Sequence, residues 1–148
     1  MTLAEQVGSI RRTLYRLLTR RLSVKTRRPL TQLLAMKFIA MRGVRTQAEL
    51  AERLLVDAPA VSRLVDRLEE EGLVERRAGE DRRCVRLQVT EASRAEIAVL
   101  EEESRRLDED AARCLTAAEV TELKRLLEKL QVGLLQGGPQ PFEGEPQD

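Results

Sequence analysis

The change of hydrophobic period at Gly72 constrains the fold most. Before it, residues 46–71 contain two short helical segments separated by a turn at residues 55–59. In the second segment apolar residues recur every three or four positions, as in an amphipathic helix, at Val61, Leu64, Val65 and Leu68. After Gly72 apolar and polar residues alternate, which is typical of strands. The pattern predicts a helix–turn–helix followed at once by a β-hairpin.

Capping residues set the bounds of these two helices. Thr46 and Glu49 have the spacing of a capping box, with Thr46 as N-cap and the Glu49 side chain reaching back to it. Asp57 is a favourable N-cap for the second helix, and Pro59 is tolerated in a first helical turn. The second helix is predicted to continue to Glu71, where Gly72 ends it.

The predicted hairpin has a strongly charged tip. Residues 73–77 form its first strand, residues 78–81 its turn and residues 84–89 its second strand, whose Val and Leu side chains share one face. At the tip, Asp81 can brace Arg83 through a charge-assisted hydrogen bond and direct it outward. The alternative is that the tip is an ordinary solvated loop.

Longer helices flank this unit on both sides. Apolar spacing predicts helices over residues 3–24 and 31–41, a long helix capped by Thr90 and running to about Leu115, and a last helix that starts at the capping box of Thr116 and Glu119. We therefore expect a fold that is mainly α with a small β-hairpin wing (α+β), a winged helix-turn-helix with N- and C-terminal dimerisation helices.

Composition argues against several classes of function. The chain has no histidine, and Cys84 and Cys114 do not form a CxxC motif. The chain also lacks a P-loop and a glycine-rich dinucleotide turn. We expect no enzymatic activity, no metal and no cofactor. Both cysteines are predicted to be small buried hydrophobic residues, and thiol-based redox sensing is the alternative.

No signal peptide or membrane span is expected. The first 14 residues lack the apolar segment of a signal peptide, and no apolar run reaches membrane-spanning length. These features predict a cytoplasmic protein that is not bound to a membrane.

Charge is distributed unevenly along the chain. Residues 1–56 carry 12 Lys or Arg against 3 Asp or Glu, whereas residues 91–148 carry 7 against 14. Such asymmetry is typical of a protein that binds a polyanion on one side. Helices whose solvated faces merely differ in charge would explain it equally well.

A helix–turn–helix with a charged hairpin suits duplex DNA. A helix fits the major groove, where base edges display a full hydrogen-bonding code, and an arginine fits the electronegative minor groove. The predicted DNA-binding residues are the outward-facing ones of the second helix and the charged ones of the hairpin, namely Ala60, Ser62, Arg63, Arg67, Asp81, Arg82, Arg83 and Arg86. A winged-helix module that binds an acidic protein remains the alternative.

Residues 31–93 resemble the MarR family of bacterial regulators. The segment AELAERLLVDAPAVSRLVDRLEEEGLVERRAGEDRRCVRLQVTEASR is similar to the family pattern along its length, most specifically in the Asp-Arg-Arg tip followed by a strand and Thr-Glu-Ala. The resemblance implies an obligate homodimer in which Arg63 reads the major groove and Arg83, braced by Asp81, enters the minor groove. Ala60 departs from the polar residue often found at its position.

We also expect the protein to form a dimer and to respond to a ligand. The leucine stripes of the first helix and the last two are too large for one winged domain to cover, so these helices are expected to pair across a two-fold axis; folding back on their own lobe is the alternative. Residues 1–29 and 91–136 are assigned to a helical dimerisation region, residues 30–90 to the DNA-binding lobe, and residues 137–148 to a disordered acidic tail. The resemblance implies a repressor that binds a palindromic operator and responds to a small aromatic or phenolic effector. The residues suggested to line the effector cleft are Arg11, Arg12, Tyr15 and Phe38, although Tyr15 and Phe38 also suit a plain core position.

Overall fold

The computed structural model describes residues 1–79 and 84–137. These ranges contain six helices and one antiparallel two-stranded sheet, which we call the wing. The elements are α1 (Leu3–Leu22), α2 (Leu30–Met41), α3 (Gln47–Leu54), α4 (Ala58–Glu70), β1 (Val74–Ala78), β2 (Val85–Val89), α5 (Ser93–Cys114) and α6 (Ala117–Gln136). This order confirms the predicted mainly helical fold with a β-hairpin. None of the helices described is long and apolar enough to cross a bilayer.

The chain divides into two compact units, Met1–Leu107 and Asp108–Asp148, with the boundary inside α5. The first unit contains the helix–turn–helix and the wing. The second contains α6 and the end of α5, which are joined by an ion pair between Lys124 and Asp108 at 3.0 Å. The predicted assignment of segments to a DNA-binding lobe and a dimerisation region stays a prediction. Beyond Gly137, the predicted acidic tail lies outside the described residues.

The core of the first unit is aliphatic and draws on every helix of that unit and on the wing. Its fully buried large side chains include Leu33, Met36, Ile39, Leu50, Val61, Val65, Leu68, Leu87 and Leu100. The predicted apolar stripe of α4 is confirmed, because Val61, Val65 and Leu68 are each 0% exposed and Leu64 packs against them half-buried. Burial of this stripe decides which face of α4 is left for a partner.

The wing is anchored to the helical core by one strand residue and one loop. β1 pairs with β2 so that Val74 lies opposite Val89. The amide of Leu87 donates a hydrogen bond to the carbonyl of Arg45 at 2.7 Å, so the loop before α3 lies along the free edge of β2. Leu87 is buried as predicted, whereas Val85 on the same strand face is 46% exposed, because it lies at the far end of the hairpin.

The predicted role of Thr90 as N-cap of the long helix is wrong. The Thr90 hydroxyl donates to the carbonyl of Gly72 at 2.6 Å, and α5 begins only at Ser93. The Thr90 amide also donates to the carbonyl of Leu73 at 3.0 Å. Thr90 therefore closes the base of the wing against the end of α4, which a local cap pattern does not reveal.

The two predicted capping boxes differ in outcome. At α6 the box is complete, with Thr116 and Glu119 each accepting from the backbone amide of the other. At α3 it is only half formed, because Thr46 accepts from the Glu49 amide while the Glu49 carboxylate accepts from the amide of Arg45 at 2.9 Å. That bond ties Glu49 to the loop that lies along β2.

Candidate nucleic-acid interface

The start of α4 is set by its cap. The Asp57 carboxylate accepts a hydrogen bond from the Ala60 amide at 2.8 Å, as predicted, and Pro59 occupies the first turn. The cap supplies a partner for one of the free amides at the helix start. With the apolar stripe buried, the opposite face of α4 is left to solvent, and Arg63 and Arg67 lie on it one turn apart.

The predicted residues of α4 fall into two groups. Arg63 is exposed, and none of the described residues forms an ion pair or a hydrogen bond with its side chain. Arg67 has a side chain 68% exposed and lies 3.9 Å from the carboxylate of Glu71. Ala60 and Ser62 are half-buried. Of the four residues predicted on this helix, the two arginines can therefore reach a partner without rearrangement.

The predicted wing residues are described only in part. Arg86 on β2 is exposed, and with Arg45 and Arg77 it lines a cavity of about 370 Å³ beside the wing. Asp81, Arg82 and Arg83 lie outside the described residues, so their roles stay predictions. The arginines around this cavity extend the basic surface from the wing to the loop before α3.

Sequence reasoning missed Arg76, which links the wing to the helix–turn–helix. Its guanidinium lies 2.6 Å from the Asp66 carboxylate and 3.2 Å from that of Glu69, and it donates to the Gln47 side chain at 3.0 Å. The side chain is only 23% exposed. The available signal was the strand alternation, which places Arg76 on the same face of β1 as the buried Val74.

A second missed arginine, Arg28, fastens the connection between α1 and α2. It pairs with Glu71 at the end of α4 and with Glu96 near the start of α5, the latter at 3.3 Å, and donates to Gln32 at 2.9 Å. Burial alone would lower the pKa of Arg28, but its bonds to Glu71 and Glu96 raise it above the ordinary value. The hydrogen bond from Arg28 lowers the pKa of Glu71.

The predicted effector residues are only partly brought together. The Arg11 guanidinium lies 4.5 Å from the ring centroid of Tyr15, a cation–π contact within α1. Phe38 instead has Arg53 over its ring at 5.9 Å. Both aromatic rings are half-buried against the core, and Arg12 is exposed.

The prediction that both cysteines are buried is wrong. Cys84 and Cys114 are free thiols and exposed. The physical reason is position, because Cys84 precedes β2 and Cys114 is the last residue of α5, so each lies beyond the packed part of its element. Within the part of the chain that the structure describes, no three Cys, Asp or Glu side chains are grouped to hold a metal ion.

Comparison with known sequences places the winged segment in one family. Residues 26–83 match the family model described as MarR family. A relative from Bacillus subtilis (strain 168), the HTH-type transcriptional regulator YwoH, is 54% identical over 41 residues, which are 28% of this chain. The match spans only 30% of the length of YwoH.

Comparison with solved structures extends the similarity to most of the chain. Apo wild-type MarR from E. coli aligns with a TM-score of 0.75 and 29% identity over 88% of this chain and 97% of that one. A cysteine-to-serine mutant of the E. coli protein, complexed with operator DNA, gives 0.69 and 29% over 86% and 92%. The Mycobacterium tuberculosis MarR family protein Rv2887, in complex with p-aminosalicylic acid, gives 0.74 and 26% over 88% and 99%.

Three observations support the similarity to this family. They are the order of elements around the wing, the match of residues 26–83, and the structural similarity to MarR of E. coli. Over residues 26–83 the chain matches the MarR family of winged-helix regulators, and over most of its length its fold is similar to that of MarR from E. coli.

Proposed function

We propose that this chain is a homodimeric transcriptional regulator that binds duplex DNA in a sequence-specific manner. The observation that carries the proposal is the exposed Arg63, which is free of ion pairs to the described residues and lies on the solvent face of α4. The opposite face of that helix is fixed in the core. The similarity to a MarR protein solved in complex with operator DNA supports the proposal that this face of α4 binds DNA.

Arg63 and Arg67 have different proposed tasks. A guanidinium can donate two parallel hydrogen bonds to O6 and N7 of guanine, which is the commonest specific contact in the major groove. We assign this contact to Arg63, and a phosphate contact to Arg67. Ser62 is assigned to a base edge or a phosphate, and Ala60 to a thymine methyl group. Because both residues are half-buried, each exposes less of its side chain to DNA than the two arginines do.

The wing is proposed to bind the neighbouring minor groove. Arg83 enters that groove with Asp81 as its brace, and Arg82 and Arg86 contact the DNA backbone. Arginine suits this position because a narrow minor groove concentrates negative potential. The exposure of Arg86 supports its part of the assignment.

The dimer is proposed from apolar side chains that a single protomer leaves in solvent. On α1, Leu3 is 58% and Ile10 is 54% exposed; on α6, Leu127 is 47% and Leu134 is 67% exposed. Exposed apolar residues repeated along whole helices are typical of a protein–protein interface. Two-fold pairing would set two copies of α4 about one DNA turn, ~34 Å, apart and so would select a palindromic operator.

Repression and a ligand response form the last part of the proposal. The suggested cleft includes Tyr15 with Arg11 above its ring, the exposed Arg12, and Phe38 on α2. The complex of Rv2887 with p-aminosalicylic acid supports a small aromatic acid as effector. Such a ligand would act by shifting the population between forms that fit DNA and forms that do not.

The test starts from selection of duplexes from a random library with the full chain. The recovered motif is expected to have two-fold symmetry, and the selected duplex then serves as probe in fluorescence anisotropy. Arg63→Ala should weaken binding by about 1–3 kcal/mol. Arg94→Ala, which removes the same charge from a side chain 78% exposed on α5, is the matched control. Failure to select any motif, or equal losses in both variants, would overturn the proposal.

A further inference from the structure

A second cavity lies where the connection between α1 and α2 meets the end of α4. Its volume is about 580 Å³, and its lining residues are Thr26, Arg27, Arg28, Pro29, Gln32, Arg67 and Glu71. Three of these side chains carry a guanidinium group and one carries a carboxylate. The lining itself has two positive charges in excess, and one remains when Glu96, which pairs with Arg28 from outside the lining, is also counted. A net positive charge favours an anion.

Of the guanidinium groups around this cavity, that of Arg28 is held in place, whereas those of Arg27 and Arg67 are exposed to solvent. Arg28 has a side chain only 17% exposed, and Glu71, Glu96 and Gln32 hold it. The carboxylate of Glu71 contacts Arg28 and lies 3.9 Å from Arg67. Partly buried charges are screened less by salt than solvated ones, so a ligand gains more from a contact with Arg28 than from one with Arg27 or Arg67.

We propose that this cavity binds a small dicarboxylate. The lining offers guanidinium groups for two carboxylates, the exposed ones of Arg27 and Arg67 and the partly buried one of Arg28. Planar guanidinium groups bind carboxylates through paired hydrogen bonds. Cavities of roughly 300–1,000 Å³ are the usual size for small-molecule ligands, and this cavity falls in that range. Arg27 and Arg67 bind one carboxylate, and Arg28 binds the other in competition with Glu71.

The site differs from the effector cleft proposed on α1 and α2. None of Arg11, Arg12, Tyr15 and Phe38 is among its lining residues. Its lining instead includes Arg28 and Glu71, whose contact joins the α1–α2 connection to the end of the helix that bears Arg63. A bound dicarboxylate therefore weakens a contact that supports α4.

The experiment is a titration of the full chain, without DNA, with succinate, followed by NMR of the arginine Nε–H signals. Acetate at matched ionic strength is the comparison. Succinate should give saturable shifts at Arg28 and Arg67 and bind at least about fivefold more tightly than acetate, the factor expected when one further screened charge pair forms. The double variant Arg27→Ala/Arg67→Ala should lose at least about tenfold in affinity, because two guanidinium contacts are removed.

Two further variants test whether succinate binds in this cavity. Arg16→Ala/Arg94→Ala removes two exposed arginines outside the cavity and should leave succinate affinity unchanged. Glu71→Gln removes the competing carboxylate and should tighten binding by about fivefold.

The proposal would be overturned by any of three results. They are NMR shifts that do not saturate with succinate, equal losses of succinate affinity in the two double variants, and weaker succinate binding by the Glu71→Gln variant. Since no DNA is present, any of these results would leave the proposed DNA binding untouched.

Discussion

The guanidinium of Arg76 on β1 lies 2.6 Å from the carboxylate of Asp66 on α4. The same side chain also holds Glu69 on α4 and Gln47 on α3. One arginine thus fixes the wing, the helix that bears Arg63 and the helix before it relative to one another. A protein that contacts two grooves at once needs such a fixed spacing, because misplacement of a contact group by about 1 Å already weakens a designed site.

Replacement of Arg76 by alanine should destabilise the fold and weaken DNA binding together. Loss of charge-assisted bonds from a side chain that is only 23% exposed should lower the free energy of unfolding by about 1–3 kcal/mol. Urea denaturation measures this loss. Arg77→Ala on the same strand is the control, because the Arg77 side chain is 64% exposed and its loss should cost less than about 1 kcal/mol. Equal losses would contradict the proposed role of Arg76.

Glu71 should contribute a pH-dependent part of the stability. The hydrogen bond from Arg28 lowers the pKa of Glu71 in the folded chain. The contribution is therefore present above the ordinary glutamate pKa of 4.5 and is lost as the pH falls through the lower folded value. Solvent screening limits it to less than about 1 kcal/mol, because 41% of the Glu71 side chain is exposed.

This contribution is measured by denaturing the parent chain and the Glu71→Gln variant at two pH values. One is neutral, and the other lies well below the ordinary glutamate pKa. The difference in unfolding free energy between the two proteins should shrink at the acidic pH. A difference that stays constant would show that protonation of Glu71 is not responsible.

Arg67 should contribute to DNA affinity through a phosphate rather than a base. Arg67→Ala is expected to weaken binding to all sequences alike and to reduce the slope of log affinity against log salt by about one. Anisotropy titrations at several salt concentrations, with the selected duplex and a scrambled one, give both quantities. A loss confined to the selected duplex would instead assign Arg67 to base reading.

The proposed dimer can be tested on α6. Leu127→Glu places a charge at an apolar position that is 47% exposed in the protomer and should give a monomer, because an interface cannot bury an unpaired carboxylate without a large cost. Light scattering after size-exclusion chromatography measures the mass. Lys129→Glu, at an exposed position two residues further on, should remain dimeric. A parent chain that is already monomeric would refute the dimer itself.

Local patterns determined the elements of this protein. The spacing of Val61, Val65 and Leu68 predicted the buried face of α4, and Asp57 predicted its start. These predictions succeed because a helical stripe and a cap depend on residues within one or two turns of each other. The same holds for the alternating strands of the wing.

Only the tertiary structure decided how those elements are fastened together. Arg28 meets residues 43 and 68 positions away, and Arg76 joins three elements. Thr90 likewise serves the base of the wing instead of the helix that follows it. The sequence shows that these side chains can donate hydrogen bonds, but their partners are set by the packing of distant segments, and no local period records that packing.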